Sequence, residues 1–184
     1  MKKSGQALYD LACTALKKAG AHSKMAEAAA RHLVQAEEQG LPTHGMSRVP
    51  FYCAMLRNGR ADGAAQPGMA AERAAVCLID NADGLPYVSA EWAVAEAIQR
   101  AKRNGIGFAG IRNSAHVGVM GIHLLPVAEA GLVGLAFTNS PAAIPAWGGK
   151  TALFGTNPVA AVFPRRNADP LVIDLALTTV VRGK

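Results

Sequence analysis

Apolar residues recur at helical spacing through the first third of the chain, which indicates helices with one buried face. The pattern predicts helices over 4–19 and 23–39, each followed by a glycine that can end it. A loop is expected at 41–45. A third helix follows, in which Pro50 is tolerable only near the first turn. We therefore expect residues 1–60 to form a helical cap region.

The pattern changes after a stretch at 61–71 that is rich in Gly, Ala and Pro and is interpreted as a linker. Short apolar runs then alternate with helical patterns. The predicted strands are 75–79, 107–111, 132–137, 159–163 and 171–175. The predicted helices are 89–104, capped by Ser89, and 118–130. The fold class is therefore α/β with a mixed sheet, and 72–184 forms the α/β body. No GxGxxG motif is present, which argues against a Rossmann cofactor site.

Composition narrows the class of protein. The chain has 184 residues, of which 51% are apolar and 17% are charged, so long disordered tracts are not expected. Lys and Arg exceed Asp and Glu by 19 to 13, but basic residues neither cluster nor alternate with aromatic ones. Small anions are therefore favoured over nucleic acid as partners. The three cysteines form no CxxC pair, and no apolar run could span a membrane, so a cytoplasmic location is expected.

The loop between the second and third helices carries the first candidate chemistry. Thr43 can orient His44, and a histidine can give or take a proton near neutral pH. Arg48 lies about one helical turn further on, and its guanidinium fork suits a carboxylate. The alternative is a loop histidine that only bonds the backbone, beside a surface arginine.

Two further segments follow predicted strands. Residues 113–118 contain His116 and lead into a helix, whose first N–H groups would favour an anion. HExxH is absent and no metal site is expected. The loop at 140–157 is long enough to be functional or flexible, and Trp147 is expected to anchor it. Asp174 lies within an apolar strand, where a buried carboxylate would need partners. An ordinary turn and a mobile surface loop are the alternatives.

Together these segments resemble the type 2 malate/L-lactate dehydrogenase family. The blocks that carry the resemblance are 43–50, 113–118, 138–141, 147–149, 155–158 and 174–176 with 182–184. The resemblance implies an NAD(P)-dependent oxidoreductase, generally a homodimer, whose cofactor fold is not of the Rossmann type. It also implies that NADP or NAD is the cofactor and that the substrate is a small carboxylate.

The resemblance implies roles for individual residues. His44 would be the proton donor, Thr43 would orient it and Arg48 would bind the substrate carboxylate. In the ureidoglycolate branch His116 is the proposed base instead, so the acid/base role is divided between two histidines. The implied substrate contacts are Thr156, Arg182 and Gly183. The implied cofactor contacts are His116, Val117, Gly118, Val119, Met120, Ser140, Asp174, Leu175 and Ala176.

The resemblance thus implies reduction of a cyclic 2-imino acid, such as Δ1-piperideine-2-carboxylate, or of a 2-oxo acid such as pyruvate or oxaloacetate. The residues in the 43–48 and 132–166 segments favour the imino acids as substrates. The family pattern runs beyond Lys184, and the chain stops soon after a predicted strand, so a C-terminally truncated, incomplete body is expected. A truncated and inactive remnant, or a non-enzymatic module that binds anions or dimerises, is therefore the alternative function.

Overall fold

The computed structural model of the protein describes residues 4–178, so Arg182 and Gly183 lie outside the described residues. The chain divides into two compact units on either side of the Ile122–His123 bond. Helices and strands are mixed in the described part, as the predicted fold class requires.

Three helices open the first unit, at the positions that the apolar spacing predicts. They are α1 (Gly5–Lys18), α2 (Ser23–Glu38) and α3 (Val49–Arg57), with a 3-10 turn at Met46–Arg48 before α3. The Ser4 side chain accepts the Ala7 N–H and so caps α1. Pro50 lies in the first turn of α3, where its missing N–H costs nothing.

Small side chains let α1 and α2 pack closely. The buried core cluster of the first unit contains nine alanines, and its largest fully buried side chains include Tyr52 and Tyr87. Aromatics are scarce in this chain, so two tyrosines supply much of the buried bulk here. Their hydroxyls must then find partners inside the protein.

A three-stranded sheet completes the first unit. Its strands are β1 (Gly68–Glu72), β2 (Val76–Asp80) and β3 (Phe108–Arg112) in the order β1-β2-β3, and α4 (Tyr87–Asn104) links the parallel pair β2 and β3. The edge strand β1 is antiparallel to β2 and contains a bulge. The sequence predicts no strand there, because Gly-Met-Ala-Ala-Glu has no β-branched residue and no regular alternation.

The predicted start of α4 is wrong by two residues. Ser89 does not cap the helix; it is fully buried inside the first turn, where its hydroxyl donates to the Pro86 carbonyl at 2.8 Å. Pro86 occupies the cap position instead. A proline followed by tyrosine starts this helix without a side-chain cap bond.

Helix α5 (Met120–Glu129) crosses the division between the units, and the remaining elements belong to the second unit. They are β4 (Gly134–Phe137), a hairpin of β5 (Ile144–Pro145) and β6 (Ala152–Phe154), β7 (Val159–Phe163) and β8 (Leu171–Leu175). Strands β4, β7 and β8 form an antiparallel sheet in the order β4-β7-β8. The hairpin lies within the long loop predicted at 140–157.

The two faces of this second sheet differ. Ala160 and Val162 of β7 are fully buried, and a Cβ on Gly134 would lie 3.1 Å from Val127 of α5, which places that helix on this face. The opposite face is apolar and exposed. Its exposed members are Leu135, Phe137, Leu171, Ile173 and Leu175.

Two expectations for the second unit are wrong. Trp147 is fully exposed and therefore does not anchor its loop against the protein. Asp174 is exposed along with the rest of β8, so it is not the buried carboxylate that an apolar strand implied. In both cases the local sequence is apolar, but nothing within the described residues covers the segment. None of the described helices combines the length and apolar character that a membrane crossing requires.

Candidate functional site

The loop between α2 and α3 presents His44. The Thr43 hydroxyl lies 3.1 Å from His44 Nδ1, within hydrogen-bond distance. The His44 residue is half-buried, while Thr43 is exposed. The contact between the hydroxyl and Nδ1 restricts the orientation of the His44 ring before any ligand binds.

Glu37 of α2 holds this loop in place, a role the sequence did not reveal. Its carboxylate accepts the Met46 N–H at 2.9 Å. Gly45 passes so close to Glu37 that a Cβ would overlap the carboxylate and approach the Glu37 backbone nitrogen to 3.1 Å. The glycine between His44 and Met46 was the only available signal, because a close approach of two backbones requires it.

Arg48 folds back over the same loop. Its Nε donates to the Thr43 carbonyl at 2.6 Å, and its Cζ lies 5.9 Å from the centre of the Phe51 ring. That bond uses one of the five N–H donors of the guanidinium group. The charge is thus positioned beside His44, with planar donors suited to a carboxylate.

His116 lies next to His44. The two imidazole rings stack with centroids 5.7 Å apart and planes 25° apart. The ring of Phe51 meets His116 edge-on at 6.3 Å. The first unit therefore brings both predicted acid/base histidines and Arg48 together, although some 70 residues separate the two histidines along the chain.

Two buried tyrosines support His116 from beneath. The Tyr52 hydroxyl lies 2.9 Å from His116 Nδ1 and 2.9 Å from the Tyr87 hydroxyl. Burial raises the pKa of Tyr52 to about 12 and holds that of Tyr87 well above its ordinary value, so both phenols stay protonated. Neither tyrosine is predicted from the sequence, because a single tyrosine on a helix face is normally a core residue.

The environment of His116 disfavours its charged form. Loss of hydration is the largest cause, followed by the charge of Arg48 and the neighbouring His44 ring, and together they lower the pKa of His116 to about 4. The residue as a whole is exposed, but its Nδ1 contacts the fully buried Tyr52. His116 is therefore neutral at physiological pH.

The predicted cofactor turn at 116–120 leads directly into α5, which begins at Met120. Gly118 has φ +76°, and a Cβ there would lie 3.0 Å from the Tyr87 hydroxyl. The glycine thus lets the turn pass over the tyrosine. Val117, Val119 and Met120 complete the turn. Backbone N–H groups before a helix are suitable donors for a phosphate.

The second unit contains the remaining described candidates. Ser140 and Thr156 lie side by side, with hydroxyls 3.2 Å apart, and the Thr156 N–H donates to Ser140 Oγ at 2.9 Å. The Asn157 side chain accepts the Ser140 N–H at 3.0 Å. Asp174 and Leu175 end β8, and Ala176 follows them.

These donors match the chemistry of a dinucleotide. Hydroxyls, backbone N–H groups and a neutral imidazole can bind phosphate and ribose oxygens without a metal ion. Among residues 4–178, no group of three or more His, Cys, Asp or Glu side chains could hold a metal. The 116–120 turn in the first unit and the Ser140–Thr156 pair in the second unit each offer donors of this kind.

Comparison with known proteins agrees with this chemistry. The profile of the malate/L-lactate dehydrogenase family matches residues 4–184. A (2R)-3-sulfolactate dehydrogenase (NADP(+)) of Chromohalobacter salexigens is 44% identical over 176 residues, which are 95% of this chain and 52% of that protein. A Δ1-pyrroline-2-carboxylate/Δ1-piperideine-2-carboxylate reductase of Pseudomonas syringae pv. tomato is 32% identical, over 89% of this chain and 48% of that protein.

Solved structures show the same fold. The sulfolactate dehydrogenase of Methanocaldococcus jannaschii matches with a TM-score of 0.92 and 30% identity, over 100% of this chain and 53% of that one. The chain belongs to the malate/L-lactate dehydrogenase family, and the predicted resemblance is confirmed. The chain spans about half the length of the relatives it matches.

Proposed function

We propose that the protein is an NAD(P)-dependent oxidoreductase that interconverts a small 2-hydroxy acid and its 2-oxo acid. The observation that carries the proposal is the arrangement around His44. A histidine in contact with a hydroxyl lies beside an arginine fork that suits a carboxylate. Such a substrate needs a group that binds its C1 carboxylate and, next to it, a group that exchanges a proton with the oxygen on C2.

In this proposal each residue of the site has one task. Arg48 binds the substrate carboxylate and so places C2 next to the imidazole. His44 donates a proton to the C2 oxygen during reduction and takes it back during oxidation, while Thr43 orients the ring. The nicotinamide, when bound, supplies or accepts the hydride. His116 is too weakly basic to share the proton transfer and instead stabilises developing charge as a neutral hydrogen-bond donor.

The relatives favour one substrate class. The 44% identity to a sulfolactate dehydrogenase supports a 2-hydroxy acid that carries a second acidic group, with NADP as cofactor. A cyclic 2-imino acid, the substrate class that the sequence favours, is the second candidate, supported by the 32% identity to a pyrroline-2-carboxylate reductase. Both classes present a carboxylate to Arg48 and a polarised C2 to His44.

The partners and location that the resemblance implies also remain proposals. We propose a homodimer in the cytoplasm. The three cysteines are free and buried, which is consistent with a reducing compartment. Ser140, Thr156 and the 174–176 segment, with Arg182 and Gly183 beyond the described residues, are the further proposed contacts for cofactor and substrate.

Cofactor titration followed by a turnover assay tests the proposal. NADPH and NADH fluorescence is titrated with the purified chain, and NADP(+) or NAD(+) reduction is measured with sulfolactate, malate and lactate, alongside NADPH oxidation with Δ1-piperideine-2-carboxylate. We expect binding of one nucleotide and turnover of one acid. Arg48→Ala should raise the KM for the acid by ~10² or more, since a bidentate charge pair is lost.

Arg57→Ala is the matched control. Arg57 is an exposed arginine at the end of α3, the helix that begins directly after Arg48. It should leave both KM and kcat unchanged. Failure of the chain to bind either nucleotide, together with no turnover of any of these acids, would overturn the proposed activity.

A further inference from the structure

We infer that Tyr52, supported by Tyr87, is a positioning residue that holds His116 in the neutral Nε2–H tautomer, so that His116 acts as a hydrogen-bond donor and leaves proton exchange to His44. The assignment of roles rests on the proposed function. The tautomer itself does not, because contacts within the first unit determine it.

The Gly118 backbone decides which nitrogen carries the proton. Its N–H points at His116 Nδ1 across 3.3 Å and donates to it. A backbone N–H can only donate, so Nδ1 must offer a lone pair. A proton on Nδ1 would face the Gly118 hydrogen directly. The single proton of the neutral ring therefore lies on Nε2.

The Tyr52 hydroxyl strengthens this assignment. It lies 2.9 Å from Nδ1 and 3.3 Å from the His116 carbonyl, both of which accept. The Tyr87 hydroxyl, also at 2.9 Å, can donate to the Tyr52 oxygen. Tyr52 is fully buried, and a buried hydroxyl that kept its proton from any acceptor would lose a hydrogen bond without compensation. With Tyr87 donating to the Tyr52 oxygen, the Tyr52 proton is directed at His116, where Nδ1 is the nearer acceptor.

Three separate elements build this support. Tyr52 comes from α3, Tyr87 from α4, and the glycine turn at 116–118 closes over both. The tyrosine rings meet edge to face, with centroids 5.8 Å apart and planes 89° apart, which fixes both hydroxyls. Because Gly118 has no side chain, the turn passes close to Tyr87, and a Cβ added at Gly118 would lie 3.0 Å from the Tyr87 hydroxyl oxygen. The hydrogen bonds thus depend on packing that is already in place before any ligand binds.

Charged neighbours oppose a second proton on the same ring. The Arg48 guanidinium, which is positive, and the His44 ring both oppose a proton on His116. On the far side of the tyrosines, His32 stacks on Tyr87 at 5.3 Å and lies 3.3 Å from the Glu91 carboxylate. That carboxylate is thus separated from His116 by both tyrosines. Nothing described in contact with His116 offers a negative charge that would favour the imidazolium.

The consequence is a division of roles between two stacked histidines. A neutral imidazole with its proton on Nε2 can donate a hydrogen bond to a substrate or cofactor oxygen. It cannot serve as a base, because its basic nitrogen is already occupied by two donors. His44, held by a hydroxyl that can either donate or accept, remains able to exchange its proton.

The tautomer is measurable by nuclear magnetic resonance on the full chain. Long-range proton–nitrogen spectra of 15N-histidine distinguish Nδ1–H, Nε2–H and imidazolium forms, and loss of one signal set in His116→Gln assigns His116. We expect the Nε2–H pattern at pH 7.5, unchanged on acidification to pH 5. An Nδ1–H pattern, or an imidazolium already formed at pH 6, would overturn the inference.

Tyr52→Phe removes the directing hydroxyl with little change of volume. We expect the tautomer ratio to shift roughly fivefold toward Nδ1–H, the effect of losing one ordinary hydrogen bond. His116 should also take up its second proton at a higher pH. Tyr87→Phe, which leaves the direct contact intact, should produce a smaller shift in the same direction and serves if Tyr52→Phe does not fold. Tyr9→Phe, on α1, is the control and should leave the His116 signals unchanged.

The spectra need neither cofactor nor substrate, so their outcome is separate from that of the proposed function. A protein with the Nε2–H pattern that binds no nucleotide would contradict the activity and leave the tautomer assignment standing. In an active protein, Tyr52→Phe should lower kcat while its KM for the acid stays within about twofold, as expected for a group that acts through His116. Unchanged spectra in Tyr52→Phe would overturn the positioning role.

Discussion

The rings of His44 and His116 stack 5.7 Å apart, so a positive charge on either ring would lie close to the other ring. Two imidazolium ions at that distance, with Arg48 adjacent, would repel one another, and water screens such close charges poorly. The pKa of His116, lowered to about 4, keeps that ring neutral at physiological pH and so avoids the repulsion. A stacked pair with one neutral member is therefore the central feature of the site.

Loss of the proton donor is expected to affect turnover more than binding. His44→Gln keeps a polar side chain but cannot exchange a proton at neutral pH. Its kcat should fall by ~10²–10⁴, the usual contribution of a general acid, while the KM for the acid changes little. Steady-state kinetics of NADPH oxidation measure both constants. A kcat within threefold of the wild type would contradict the role of His44.

The Thr43 hydroxyl is expected to matter for orientation rather than for chemistry. Thr43→Val has nearly the same shape but no hydroxyl, so His44 Nδ1 loses its contact at 3.1 Å. We expect kcat to fall by ~10-fold, the value of one hydrogen bond of about 1.4 kcal/mol. Thr43→Ser is the matched control, since it retains the hydroxyl and should keep wild-type kinetics. Equal losses in both variants would show that the methyl group, not the hydroxyl, is required.

The pKa of His116 makes a prediction about stability against pH. Its value in the folded state, about 4, lies below the ordinary value of about 6.5, so the unfolded chain binds the proton more readily. This contribution to stability is fully present above pH 6.5 and is lost as the pH falls toward 4. Urea unfolding at pH 7.5 and pH 5 should therefore show a smaller loss on acidification in His116→Gln than in the wild type. An identical loss in both proteins would contradict the lowered pKa.

The sequence predicts the helices and central strands well, because each has its own periodic apolar pattern. It fails where that local signal is absent or where packing decides. The edge strand β1 has no alternation of apolar and polar residues. The β5–β6 hairpin is short, and glycines and prolines flank its strands. Ser89 is a residue type that often caps helices, but it is buried within the first turn of α4. These errors arise from tertiary contacts that local composition does not encode.

The candidate site shows the same division. Motif recognition identifies Thr43, His44, Arg48 and His116, each of which carries chemistry that is visible in its residue type. It does not identify Glu37 or the two tyrosines, whose roles exist only because α2, α3 and α4 bring them beneath the loop and the turn. An acidic residue on a helix and a buried aromatic one are ordinary in sequence, so their partners had to be seen in the structure.

The close approach of the His44 loop to α2 yields the last prediction. Gly45→Ala would place a methyl group on the Glu37 carboxylate and 3.1 Å from the Glu37 backbone nitrogen. The side chain can rotate away, but only by giving up the Met46 N–H that it accepts at 2.9 Å. We expect the free energy of unfolding to fall by ~1–3 kcal/mol and kcat to fall with it, because the loop that positions His44 must move. Gly68→Ala is the control, since a Cβ there meets nothing within 4 Å, and urea unfolding of both variants gives the comparison. If Gly45→Ala unfolds at the same urea concentration as Gly68→Ala, the Glu37 contact does not hold the loop.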